Sequence, residues 1–116
     1  VDGAEVGMAW LLRGGEVLAS LEVADGPAAR ARQLLGRKHH EGAFLATGTR
    51  AAHTIGVPFG VDVAYLDRDL VVMRTATMHP YRVGMPRLRA RNVLEAPAGA
   101  FERWNLRPGD QLEIKS

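Results

Sequence analysis

The chain has 116 residues, no cysteine and a formal net charge of +2. Residues 1–116 suit one domain, long enough to bury roughly two-thirds of the surface its unfolded chain would expose. The missing thiols exclude disulfide scaffolds, thiolate zinc sites and cysteine nucleophiles. An apolar share of 47% belongs to a globular protein rather than a disordered one.

The longest apolar runs, such as Met8–Leu12 and Val71–Met73, are strand-sized and far short of the roughly twenty residues a membrane helix needs. Membrane insertion is therefore not expected. The chain starts at Val1 without a signal-like segment, and a cytoplasmic location is expected.

Val6–Leu12 and Glu16–Val23 read as two strands joined through Arg13-Gly14-Gly15, since a Gly-Gly pair supplies the positive φ angles of a tight hairpin. In the second run Val17, Ala19, Leu21 and Val23 alternate with Glu16, Ser20 and Glu22, so they should share one inward face. Pro27 opens a helix that Gly36 stops, with Ala28, Ala31, Leu34 and Leu35 as its apolar stripe. Arg37–Gly42 is a polar loop, Ala43–Ala46 a short strand, Thr47-Gly48-Thr49 a turn, and Ala52–Ile55 a further strand.

Pro58 in Gly56–Gly60 interrupts pairing, because proline donates no backbone hydrogen bond. Val61–Leu66 and Leu70–Met78 are the strongest strands, separated by Asp67-Arg68-Asp69. His79–Pro86, with two prolines and a glycine, is a loop, and Arg89–Glu95 resumes an extended run. Pro97 begins a second short helix through Trp104, which Asn105 closes in the left-handed conformation. Arg107–Asp110 turns the chain into a closing strand, Gln111–Lys115. Many short strands with two short helices define an α+β fold: β-rich, mostly antiparallel, its sheet curled into a small barrel or sandwich.

Several segments, in this order, carry a family resemblance. They are Ala31–Arg37, Gly42–Leu45, His53-Thr54, Val61–Asp67, Arg91–Gly99 and Leu106–Asp110. Each is weak alone, but their order and spacing resemble the bacterial and archaeal family known as domain of unknown function 192, over residues 28–116. The resemblance implies a fold and a site region, not a reaction. Two departures stand out. Ile55–Phe59 replaces the family's phenylalanine-tryptophan-methionine-lysine-asparagine run, and the turn at Asp67–Leu70 lacks the usual glycine.

Charge is segregated along the chain. Between Asp69 and Glu95 lie Arg74, Arg82, Arg87, Arg89 and Arg91 with no carboxylate, which produces a positive patch on a nearly neutral protein. If that stretch is extended, Arg87, Arg89 and Arg91 project from one face, with His79 and Tyr81 upstream as stacking surfaces. In-line guanidiniums suit phosphate or carboxylate groups; an edge strand studded with charge against aggregation is the competing reading.

His53 and Asp62 form the other candidate, as a base oriented by a carboxylate. The favoured reading is structural: Asp62 is a buried brace hydrogen-bonded to backbone amides or to His53. His39, His40, His53 and His79 lack metal-ligand spacing, so no metal or cofactor is expected. The reading favours a monomeric accessory domain that binds an anionic small molecule or acidic protein through Arg82, Arg87, Arg89, Arg91, His79 and Tyr81. An enzyme using His53 and Asp62 is the alternative. Nucleic acid is a weaker one, since no recognition motif is present.

Overall fold

The computed structural model describes residues 6–26, 42–50, 59–80, 87 and 89–116. Seven strands form one mixed sheet: β1 (Val6–Arg13), β2 (Glu16–Asp25), β3 (Ala43–Thr47), β4 (Val61–Leu66), β5 (Val72–Met78), β6 (Asn92–Pro97) and β7 (Glu113–Lys115). Their spatial order is β5-β4-β6-β3-β2-β1-β7. All neighbouring pairs are antiparallel except β2 with β3.

The expected barrel does not close. Between the two ends of the order stands an isolated bridge, Val71 to Gln111. Backbone bonds from Val72 N to Asp110 O (2.9 Å), Gly109 N to Val72 O (2.7 Å) and Leu112 N to Leu70 O (3.1 Å) flank it. A contact between opposite edges requires the sheet to curl. β7, however, is only three residues long, too short to ladder along β5 and complete a barrel.

Both faces of the sheet centre are apolar. One face gathers Leu11, Leu21, Leu45, Leu66, Leu94, Phe101, Leu106 and Leu112; the other gathers Phe44, Ala46, Val61, Val63, Tyr65 and Val93. This explains why β4 is buried at every position and, apart from Asp62, reads as an apolar run rather than an alternation. At roughly 25 cal/mol per Å² of apolar surface, each such large side chain contributes about 1.5–3 kcal/mol.

The first hairpin turns through Gly14 and Gly15 at φ +58° and +83°, as their sequence demands. The alternation expected along β2 fails at its start. A bulge shifts the register so that Leu11 pairs with Ala19 but Leu12 with Val17. A one-residue slip exchanges the faces, and Val17 is exposed while Leu21 is fully buried.

Among the described residues there is one helix, α1 (Ala100–Trp104). It begins later than expected, because Pro97 ends β6 and Gly99 adopts φ +97°, a turn conformation outside the helical region. Asn105 closes it at φ 54° as its residue type predicts. The helix expected over 27–36 and the strand expected over 52–55 lie outside the described residues. The glycine missing from the turn after β4 has a cost that is visible: Leu70 takes φ 66°, against a preference of about 1–2 kcal/mol for a non-glycine residue.

Arg13 ties the first hairpin to α1. Its guanidinium donates to Trp104 O (2.7 Å), to Asn105 O (3.3 Å) and to Asp110 Oδ2 (3.1 Å). A cation at a helix C-terminus answers both the free carbonyls and the negative end of the helix dipole. Arg13→Met should cost about 1–3 kcal/mol, the range for hydrogen bonds to charged groups. The check is urea denaturation, with a lower midpoint and an unchanged slope.

Candidate functional site

Two polar constellations stand at opposite ends of the sheet. The first is built on Asp62, the second residue of β4, which is 3% exposed. Thr77 lies opposite it on β5 and donates its hydroxyl to Oδ1 at 2.8 Å. Gly99 N and Phe101 N donate to Oδ2 at 2.9 and 3.1 Å. Helix α1 has no side-chain cap of its own, since its N-cap is Gly99. Asp62 supplies the missing acceptor from a distant strand, placing a carboxylate where helix N–H groups are unsatisfied.

A shallow cavity of about 260 Å³ opens beside this carboxylate, between Thr75–Thr77 and Gly99–Glu102. Three donors already occupy the two oxygens of Asp62, which is the arrangement of a brace. His53, its expected catalytic companion, lies outside the described residues. Among the described residues no cluster of three or more metal-ligating side chains occurs.

The second constellation joins the turn after β3 to the segment before β6. Thr49 N donates to Arg91 O (3.1 Å), and Arg87 N donates to Arg50 O (2.9 Å). Arg91 N in turn donates to Leu66 O at the end of β4 (2.8 Å), fixing the pair of loops to the sheet. A depression of about 350 Å³ lies between them, lined by Gly48, Thr49, Arg50 and Arg91. Arg50 and Arg89 are exposed, and no described carboxylate lies within ion-pair distance of either.

The expected arginine strand takes a different form. Residues 87–91 precede β6, which starts at Asn92, and Ala90 N closes a turn on Arg87 O at 3.0 Å. The arginines therefore gather at a loop pair rather than along one strand face. Both flanking strands, β3 and β6, are interior to the sheet, so protection of an exposed edge does not account for the charge. Arg50 was missed in the sequence because it sits outside the arginine run, just past a turn. Only the pairing of β3 with β6 brings it there.

The remaining predicted residues divide. His79 follows Met78, which pairs with Val61 at the Asp62 end of β4, whereas Arg91 meets Leu66 at the other end. From Asp62 to Leu66 is about 13 Å at roughly 3.3 Å per residue, so neither His79 nor Asp62 joins the arginine loops. Tyr81 and Arg82 lie outside the described residues. Sequence reading also passed over Glu95, a carboxylate 1% exposed inside β6 between Phe44 and Val63. A charged residue within an apolar run was the available signal, the same one that drew attention to Asp62.

The fold and its two constellations define a small, curled, mixed β-sheet domain with a carboxylate brace at one end and a basic loop pair at the other. The chain belongs to the family DUF192, an uncharacterized ACR, whose model matches residues 10–114. The match takes in most of the first hairpin, which the sequence resemblance had left outside. The UPF0127 protein PH1112 of Pyrococcus horikoshii is 34% identical over 53 residues, 46% of this chain and 46% of that protein. The UPF0127 protein PYRAB11210 of Pyrococcus abyssi is 32% identical over 53 residues, 46% of this chain and 45% of that protein. The chain thus matches about half the length of these relatives.

Two crystal structures share the fold. A protein of unknown function from Novosphingobium aromaticivorans has a TM-score of 0.73 at 22% identity, covering 97% of this chain and 88% of the other. A Sinorhizobium meliloti protein, provisionally named a transcription regulator, has a TM-score of 0.76 at 20% identity, covering 98% and 97%.

Removing the brace should be costly. Asp62→Ala leaves the N–H groups of exposed Gly99 and buried Phe101 without their acceptor, and a loss of about 3 kcal/mol follows from charge-assisted bonds of this kind. Asp62→Asn retains one acceptor oxygen and should lose less. Chemical denaturation of both variants, with hydrogen exchange at Phe101 as the local readout, checks the order.

Proposed function

We propose that this domain is a small binding module that seats an anionic ligand, or an acidic segment of a partner, on the loop pair 47–50 and 87–91. One observation carries the reading. Two backbone hydrogen bonds lock the turn after β3 to the segment before β6, and a 350 Å³ depression with Arg50 and Arg91 in its wall opens between them. Guanidinium forks donate paired N–H bonds to phosphate or carboxylate oxygens. A loop pair already tied to a sheet loses little entropy when the ligand arrives. Arg89 adds a third exposed cation in the same segment. Arg82 and Tyr81 enter the proposal from their place in the sequence.

Supporting this reading over a merely solvated surface is the position of the loops. They directly flank β3 and β6, two interior strands with neighbours on both sides; charge placed beside these strands protects no edge.

The test is a thermal-shift series near physiological salt with inorganic pyrophosphate, nucleoside phosphates and an acidic peptide. A ligand at about a hundred times its dissociation constant stabilises by about 2.7 kcal/mol, which is several degrees for a domain of this size. The variant carrying Arg50→Gln, Arg89→Gln and Arg91→Gln should lose that shift. Its own melting temperature should stay close to the parent's, because exposed substitutions cost roughly 0.5 kcal/mol or less. A triple variant that keeps the full shift would refute the proposal.

A further inference from the structure

Arg87 differs from the other arginines of the loop pair. It is half-buried, and its Nε is shielded from solvent with no hydrogen-bond partner among the described residues. Its guanidinium carbon lies 5.6 Å from the centroid of the Tyr65 ring, within the distance at which a cation is held by an aromatic face. It is absent from the wall of the 350 Å³ depression. Its backbone nevertheless controls that wall: Arg87 N holds Arg50 O at 2.9 Å, and Arg87 O closes the turn that sets Ala90. Arg91, the next residue, lines the depression.

From this we infer that Arg87 and Tyr65 are positioning residues for the anion site, and that Arg50, Arg89 and Arg91 make the contacts. The inference rests on the proposed anion-binding function and divides its arginines into two roles. The physical need is clear. Arg50 and Arg91 stand on separate segments, β3's turn and β6's approach, and like charges held close repel one another. A neutral surface that attracts a cation can pin one loop without neutralising its neighbours, which a carboxylate would do. Tyr65 offers that surface. It is buried in the middle of the sheet, paired with Val93 on β6 and Arg74 on β5, and so cannot move when the ligand binds. Stacking turns the Arg87 side chain into an anchor and leaves its backbone N–H in place to fix Arg50.

The experiment compares Tyr65→Phe, Tyr65→Leu, Arg87→Met and the double variant Tyr65→Leu/Arg87→Met. Calorimetric titration with inorganic pyrophosphate is run well below each melting temperature. Phenylalanine keeps the ring face and should bind within about twofold of the parent. Tyr65→Leu removes no charge yet should weaken binding about tenfold, Arg87→Met by a similar factor, and the double variant by no more than either alone, because both break one anchor. Amide exchange at Arg87 should quicken in Tyr65→Leu and not in Tyr65→Phe.

Unchanged affinity in Tyr65→Leu, or additive losses in the double variant, would overturn the anchor while leaving the anion site standing. Absence of pyrophosphate binding by the parent would instead strike at the anion site for this probe. The exchange rate of Arg87 then decides the anchor alone: quickening in Tyr65→Leu supports it, and an unchanged rate overturns it.

Discussion

The carboxylate of Asp62 is the interaction on which one end of the molecule depends. A helix of five residues is too short to be stable by its own hydrogen bonds. It persists here because the sheet addresses both of its ends with charge of the right sign. Asp62 accepts from Gly99 N and Phe101 N at the start, and Arg13 donates to Trp104 O and Asn105 O at the finish. These residues come from strands that are far apart in the order. The helix therefore spans and fastens the curl, carrying Phe101 into the core on that side, with Leu106 following just past its cap.

Seen this way, the buried acid needs no catalytic explanation. A carboxylate at 3% exposure would be costly without compensation. Three donors provide it, and none of them is a group waiting for a substrate. A different polar chemistry lies at the other end, where Arg50 and Arg89 are exposed with no described carboxylate within ion-pair distance of either. The carboxylate brace and the arginine loops thus stand at opposite ends of β4.

Much of the fold was legible because its signals were local. The Gly14-Gly15 turn, the left-handed Asn105 cap and the apolar runs of β3, β4 and β6 each follow from residue type over a few positions. What escaped was set by pairing. The bulge that exposes Val17 depends on how Leu12 meets β2, and the open seam depends on where β7 runs out. The candidate site followed the same pattern. Arg87, Arg89 and Arg91 announce themselves as a run, whereas Arg50 joins them only through the β3–β6 register. His79 was grouped with the arginines because it is close in sequence, yet β5 carries it to the far end of the sheet.

The arrangement of charge argues further than its amount. Guanidiniums that converge repel one another, by about 1 kcal/mol for each pair near 4 Å even in water. On an edge strand that cost would be offset by protection from aggregation. Here the arginines sit on segments directly flanking β3 and β6, which are interior strands of the sheet. Between Asp69 and Glu95 the sequence carries Arg74, Arg82, Arg87, Arg89 and Arg91 with no carboxylate among them. In the proposed function, an anion seated on the loop pair would attract these like charges to a common target and offset their mutual repulsion. The Arg87 guanidinium over the Tyr65 ring fits that proposal, since a cation held by a neutral aromatic face brings no carboxylate into the loop.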